Sequence, residues 1–329
     1  MPPMHKFIEV CAGCGGLSKG FMDAGLEPIL INEIDKAAIA TLMENHPSIK
    51  KNINHGSMTD LKLDGLRPDV LMGGVPCQAF SQAGERRGLE DPRGRLIVEF
   101  NRLVLEAEPK IFILENVKGL ATHDKGKTLA SLAEMFENGG MYTVHHKILN
   151  AADYEVPQKR ERIIIVGLRS DLGKDFDFPE PIKKRKTLRD ALKDVPDSEG
   201  IKYSEEKRKV MELVPEGGCW VDLPEEIKKK YMGNAIRSGG GMRGFARRLR
   251  MDDQSLTLLT SPSQKQTDRC HPTETRPLTV REYARIQTFP DDYRFQGTIM
   301  QKYRQIGNAV PPRLAYHIAK SIIKKLNAN

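Results

Sequence analysis

A chain of 329 residues, at roughly 150 residues per domain, predicts about two domains and a core that needs no disulfide staples. Hydrophobic residues are 39% and charged residues 29% of the composition, which excludes a fibrous or mainly disordered chain. The longest apolar run, Ile163-Ile164-Ile165-Val166, falls far short of the ~20 residues a membrane span requires. The opening segment Met1 to Lys6 runs straight into a strand-like Phe7-Ile8-Glu9-Val10 with no apolar leader, so a cytoplasmic protein is expected. Five cysteines, an odd number, suit a reducing compartment. Fifty-two basic against 44 acidic residues leave a formal +8, which permits a polyanionic partner.

Taken in chain order, strand signals fall at Phe7 to Val10, Pro28 to Ile31, Val70 to Met72, Ile111 to Leu114, Thr143 to Leu149 and Arg162 to Leu168. Helical periodicity lies between them. It is clearest over Arg95 to Glu106, where Leu96, Ile97, Phe100, Leu103 and Val104 share one face and Pro109 follows the end. Alternating strands and helices predict an α/β fold with a doubly wound, mostly parallel sheet. After about residue 180 the texture changes to Lys183-Lys184-Arg185-Lys186, Pro196, Pro215, Pro224 and Gly239-Gly240-Gly241, a second and loop-rich unit. Helical order returns after Pro311-Pro312, with Leu314, Ile318, Ile322 and Leu326 on one face, and that helix is expected to pack on the first domain.

Ala12-Gly13-Cys14-Gly15-Gly16 follows the first strand and precedes a helix, a setting in which backbone can approach a ligand closely. The third glycine of the dinucleotide pattern is replaced by Ser18, which disfavours a hydride-transfer cofactor. Glu33, closing the second strand, can accept both hydroxyls of an adenosine ribose. The alternatives are a turn that merely reverses the chain and an Asp35 that caps the next helix. Cys11 and Cys14 form a Cys-x-x-Cys, yet no second paired set completes a tetrahedral site. Small residues lining a turn are favoured over redox or zinc chemistry, and no metal is expected.

Gly73-Gly74-Val75-Pro76-Cys77 places a thiol just past a buried strand, at the sheet edge where open α/β folds bind ligands. Glu115-Asn116-Val117 follows the next strand and reaches the same edge, so a carboxyl group faces the thiol. Gln158-Lys159-Arg160-Glu161-Arg162 brings guanidinium groups able to grip oxygen atoms.

With these motifs the chain resembles the cytosine-5 DNA methyltransferases of bacterial restriction-modification systems. The match runs in family order through Phe7 to Gly16, Asn32 to Asp35, Gly73 to Ser81, Asp91 to Gly94, Glu115 to Val117, Gln158 to Arg162, Arg276 to Glu282, Gln287 to Asp291 and Gln305 to Pro311. The resemblance implies an S-adenosylmethionine-dependent methyltransferase fold, with a catalytic domain over 1–190, a target-recognition domain over 191–300, and a return to the catalytic domain over 301–329. It implies Cys77 as nucleophile at cytosine carbon 6, Glu115 as the partner of N3, Arg162 at O2, and Arg160 steadying the catalytic loop or phosphates. Cofactor contacts carry over at Cys11, Gly13, Gly15, Glu33, Ile34, Ser57, Met58, Pro76 and Asn308.

Three positions depart from the family pattern. Glu9 stands for the usual aspartate near the methionine amine, Cys11 for a phenylalanine beside the adenine, and Ser57 for an aspartate near the adenine amine. Cofactor use is expected to survive all three. Residues 78–94 resemble the loop that closes over a flipped-out base, with Ser81 and Gln82 filling the gap or meeting phosphate. From Arg237 to Arg250 there are five arginines, four glycines and no acidic residue, and Arg243, Arg247 and Arg248 are the expected base or phosphate contacts. Thr257 to Ser263 is expected to add groove contacts. Double-stranded DNA is the expected partner of a monomer, with a cognate endonuclease acting on the same site. A transfer-RNA-modifying relative would carry a Cys-Phe-Thr signature, absent here. A nicotinamide oxidoreductase leaves Cys77 and Glu115 unexplained, and a catalytically dead DNA-binding module would need a broken catalytic set.

Overall fold

The protein is described by a computed structural model covering residues 4–75, 95–237 and 244–328. Chain contacts divide it into two units. One comprises the residues up to Tyr154, Glu161–Lys183 and the residues from Ala309; the other comprises Glu155–Arg160 and Lys184–Asn308. The observed partings fall at 183/184 and 308/309, against the expected 190/191 and 300/301. The added inner segment is Glu155–Arg160.

In the first unit the elements follow as β1 (Lys6–Val10), α1 (Gly16–Asp23), β2 (Glu27–Glu33), α2 (Lys36–Asn45), β3 (Ile53–His55), β4 (Val70–Gly73), α3 (Arg95–Ala107), β5 (Ile111–Val117), α4 (Gly119–Thr122), α5 (Lys127–Glu137) and β6 (Tyr142–Asn150). The short β7 (Gln158–Lys159) belongs to the second unit, after which the first resumes with β8 (Glu161–Arg169). Its seven-stranded sheet has the order β3-β2-β1-β4-β5-β8-β6. The pairs from β3 to β5 are parallel, whereas β8 runs antiparallel to both β5 and β6. The strand order reverses between β1 and β4, and the carboxyl ends of strands at such a switch point are where a doubly wound sheet binds ligands.

All six expected strands are present, and several run further than expected. β5 continues through Glu115 and Asn116 to Val117 because β8 pairs with it along its full length, from Ile111 opposite Leu168 to Val117 opposite Arg162. Polar residues stay extended where a ladder holds their backbone. The two- and three-residue strands β3, β7 and β9 (Ser255–Leu256) gave no readable alternation.

The core under β1, β4 and β5 is built by α3, whose Ile97, Phe100, Leu103, Val104 and Ala107 are buried; Leu96 is only partly so. Phe100 meets Phe112 and Phe136 edge-on, as Phe112 meets Tyr142, an arrangement favoured by the ring quadrupoles, while Phe112 and Phe136 are tilted against each other.

The second unit holds α6 (Leu188–Ala191), α7 (Glu205–Glu212), α8 (Glu225–Met232), α9 (Val280–Ile286) and α10 (Ile299–Asn308), with β9 paired to β7. Its small core gathers Met211, Val214, Leu223, Ala246 and Cys270.

The chain then returns to the first unit as α11 (Pro312–Asn327), which buries Leu314, Ile318, Ile322 and Leu326 and packs on α1. A methyl group on Gly20 of α1 would stand 2.4 Å from Ala315 Cβ and 2.5 Å from the Pro312 carbonyl oxygen. Only a glycine lets these helices approach so closely.

Candidate active site

At the end of β1 the backbone turns through three left-handed positions: Cys11 at φ 53°, Gly13 at φ 56° and Gly15 at φ 82°. The two glycines take this conformation without strain, and Cys11 is the exception. Space beside Gly13 is open, for a Cβ built there would meet nothing within 4 Å. Glu33, ending β2, holds this turn. Its Oε2 accepts from the Gly13 N–H at 2.6 Å, and its Oε1 accepts from the N–H groups of Ile34 and Asp35 at 2.8 Å each. A carboxylate offers about four lone pairs, so one acceptor direction is left over. Ile34 beside it is 63% exposed. Asp35 caps α2, accepting from Ala37 and Ala38 N–H.

Behind the turn, Glu9 is buried and accepts a hydrogen bond from the Ser18 hydroxyl. Burial, with the charge of Glu33 nearby, pushes the Glu9 carboxyl well above the usual carboxylate range, against the pull of Ser18. The same causes raise the Cys11 thiol to about 12, and burial raises Cys14 as well. Thiols held protonated are poor nucleophiles and poor metal ligands, which fits small residues lining a turn. Among the described residues no group of three His, Cys, Asp or Glu side chains is arranged to hold a metal ion.

Ser57 begins a 3-10 turn, its Oγ accepting from the Thr59 N–H. Met58 next to it is buried in the core with Ile8, Val10 and Leu61, so its side chain is committed to packing. Asn308 is the last residue of α10, in the second unit, and is exposed.

The second cluster of the first unit lies where β4, β5 and β8 meet. Glu115 stands two positions along β5 from Val117, the direct partner of Arg162, so the two side chains share a face as diagonal neighbours. Both are largely buried, and Arg162 Nε lies 3.0 Å from Glu115 Oε1. The other carboxylate oxygen faces the end of β4, since a Cβ on Gly74 would come 3.4 Å from Oε2. Asn116 fixes that exit by donating from Nδ2 to the Val75 carbonyl at 3.0 Å. Pro76, Cys77, Ser81, Gln82 and Arg243 lie outside the described residues.

Several arginines named from the sequence have other work in the second unit. Arg160, buried, donates to the carbonyls of Leu258 and Asn308, a place that suits steadying backbone rather than touching a base. Arg248 requires correction. It is 6% exposed, and its guanidinium donates to the carbonyls of Val214, Met211, His271 and Glu274 and to Thr275 Oγ1. All five guanidinium N–H groups are used, so none is left for DNA. Arg247 is half-buried, with Nη1 on the Gly217 carbonyl at 2.7 Å. Over Thr257 to Ser263 the polar backbone is held from inside: the carbonyls of Thr257, Leu258 and Leu259 accept from Arg269, Arg160 and Tyr283, and that of Ser263 from Lys207. Arg269 went unremarked in the sequence, where Asp268-Arg269 reads as an ordinary solvated pair.

This strand order, with antiparallel β8 inserted beside β5 and an open glycine turn after β1, is that of the S-adenosylmethionine-dependent methyltransferases. The family model described as C-5 cytosine-specific DNA methylase matches residues 5–324. The chain is 48% identical to the Type II methyltransferase M.Eco47II of Escherichia coli, across 98% of this chain and 80% of that protein. It is 51% identical to the Type II methyltransferase M.Sau96I of Staphylococcus aureus, across 98% of this chain and 76% of that protein. Among solved structures, a prophage-encoded E. coli protein assigned as a DNA modification methyltransferase superposes with a TM-score of 0.72 at 25% identity, covering 98% of this chain and 99% of its own. The chain belongs to the C-5 cytosine-specific DNA methylase family, and it is a DNA (cytosine-5)-methyltransferase of the Type II restriction-modification kind. No helix among the described residues is long and apolar enough to cross a membrane.

Proposed function

We propose that this enzyme methylates carbon 5 of a cytosine swung out of a specific site in duplex DNA, through a transient bond from Cys77 to carbon 6, and so protects DNA from a cognate endonuclease. The observation that carries the proposal is the divided carboxylate of Glu115: Oε1 lies against Arg162, and Oε2 faces Gly74, just past the end of β4 and three residues before Cys77. Carbon 5 of cytosine is too weak a nucleophile to take a methyl group unaided. As the Cys77 thiolate adds at carbon 6, electrons flow toward N3, and a proton shared from Glu115 neutralises them. Arg162 serves twice in this reading: it fixes the Glu115 rotamer through Nε and offers its remaining donors to the cytosine O2. After carbon 5 gains the methyl group, a base takes the proton from that carbon and the thiolate leaves. Extrusion of the nucleotide costs a few kcal/mol, offset by contacts from the Gln78 to Gly94 segment, with Ser81 and Gln82, and from the second unit as target-recognition domain.

The residues around β1 and β2 fit S-adenosylmethionine as donor. Gly13 leaves room for close approach, Gly15 turns the backbone through a left-handed conformation, Glu33 keeps one acceptor direction for a ribose hydroxyl, and exposed Ile34 offers an apolar face to adenine. Cys11, Ser57, Met58 and Pro76 complete the proposed set, Met58 through its backbone. When bound, the group supplies an electrophilic methyl on a sulfonium.

Bisulfite sequencing of plasmid incubated with enzyme and labelled S-adenosylmethionine identifies the methylated site. A duplex with 5-fluorocytosine at that position then traps the enzyme, and peptide mass spectrometry is expected to find the adduct on Cys77. Cys77→Ala should bind DNA, yet neither methylate nor crosslink. Turnover by Cys77→Ala, or an adduct elsewhere, overturns the assignment.

A further inference from the structure

Within the second unit, residues 268–270 run extended between two stretches of chain. On one side the N–H groups of Asp268 and Cys270 donate to the carbonyls of Gly244 and Arg247, and the Leu249 N–H donates back to Cys270. On the other side the Arg269 N–H donates to the Pro262 carbonyl. The side chains repeat this division. Asp268 is fully buried; its carboxylate accepts from the Ala246 N–H and the Tyr231 hydroxyl at 3.3 Å each and pairs with Lys207 Nζ at 2.5 Å. Arg269, also buried, turns the opposite way. Its Nε and Nη2 both reach the Thr257 carbonyl, at 3.3 and 2.9 Å, while Nη1 closes on the Asp268 carbonyl at 2.6 Å.

One dipeptide therefore grips the Gly244 to Arg250 stretch with a carboxylate and the Thr257 to Ser263 stretch with a forked guanidinium. A charge buried against carbonyls alone is costly, and an apolar side chain would fill the same volume more cheaply; burial does weaken the Arg269 hold on its proton. What the fork supplies is direction, because two parallel N–H groups on one oxygen fix the orientation of that peptide.

We propose that Arg269 is a positioning residue for DNA recognition, setting the register of Thr257 to Ser263 against Gly244 to Arg250. The proposal rests on the reading of the second unit as the DNA-recognising part. Its test compares Arg269→Lys and Arg269→Ala with the parent enzyme in steady-state methylation. Both variants should raise the KM for DNA about tenfold while kcat and the KM for S-adenosylmethionine stay within about twofold, and bisulfite maps should show relaxed site choice. Guanidinium at millimolar concentration should restore Arg269→Ala, not Arg269→Lys, whose ammonium fills the gap.

Folding is followed by the emission of Trp220, the chain's single tryptophan, whose backbone N–H donates to the Phe245 carbonyl. An unchanged KM for DNA, or equal losses in kcat and both KM values without guanidinium rescue, overturns the proposal. Arg250→Gln, at an exposed position of the basic stretch, separates the two layers. If it weakens DNA binding while the Arg269 variants do not, the Arg269 proposal alone fails. If Arg250→Gln and Arg247→Gln both leave DNA binding unchanged, the recognition role of the second unit fails and takes the proposal with it.

Discussion

Glu9 and Glu33 are two carboxyl groups a few residues apart in space with opposite circumstances. Glu33 is ringed by three backbone donors, whereas Glu9 has the Ser18 hydroxyl and is buried. The raised Glu9 carboxyl has a sign that stability measurements can read. The unfolded chain gives up this proton at an ordinary carboxylate pH, near 4.5, and the folded chain keeps it well above that. Its contribution is complete below that pH and declines as pH rises toward the folded value, by at most about 1.4 kcal/mol per pH unit. Glu9→Gln should therefore match the parent in urea unfolding at acid pH and become progressively more stable by comparison as pH increases. Parallel stability curves would show that Glu9 is ionised in the fold. At this scale, legibility depended on how local the partners are. Glu115 could be found because it ends an apolar run, but the engagement of Arg248 could not. Its acceptors lie 23 to 37 residues away in the chain, and a sequence shows the charge without its satisfaction.

Among the elements, long periodic segments were readable and short ones were not. α3 and α11 declare themselves by apolar spacing, since each buries one face along its whole length. β3, β7 and β9 depend on partners far away in sequence, and two or three residues carry no period. The contact of α1 with α11 yields a stability prediction. Gly20→Ala places a methyl into Ala315 Cβ and the Pro312 carbonyl, and overpacking of this kind costs about 1–3 kcal/mol. Thermal unfolding should shift down accordingly, and S-adenosylmethionine affinity should suffer more than DNA affinity, because α1 follows the glycine turn. A variant of unchanged stability would mean that the two helices part with ease. Gly73 makes a similar demand on β4, where a Cβ would lie 3.0 Å from the Val10 carbonyl oxygen.

For the molecule as a whole, the change in texture near residue 180 announced a second unit, and the return to the first was visible in the terminal helix. The inner segment Glu155–Arg160 carries no change of texture, and the Gln158 to Arg162 motif runs across its end, from Arg160 in one unit to Glu161 in the other. The formal charge of +8 bears on DNA in a measurable way. If exposed basic groups meet phosphate, log K should fall linearly with log salt, and Arg250→Gln should flatten the slope by about one without changing which sites are methylated. A slope that does not respond would place Arg250 away from the duplex.

The first sheet is completed by a helix drawn from beyond residue 309. A ribosome must therefore translate the whole intervening unit before α1 acquires its cover, and until then the apolar side of α1 is bare in the nascent polypeptide. Chains interrupted anywhere in the second unit are left without that lid, and would be expected to meet chaperones or proteases rather than the chromosome.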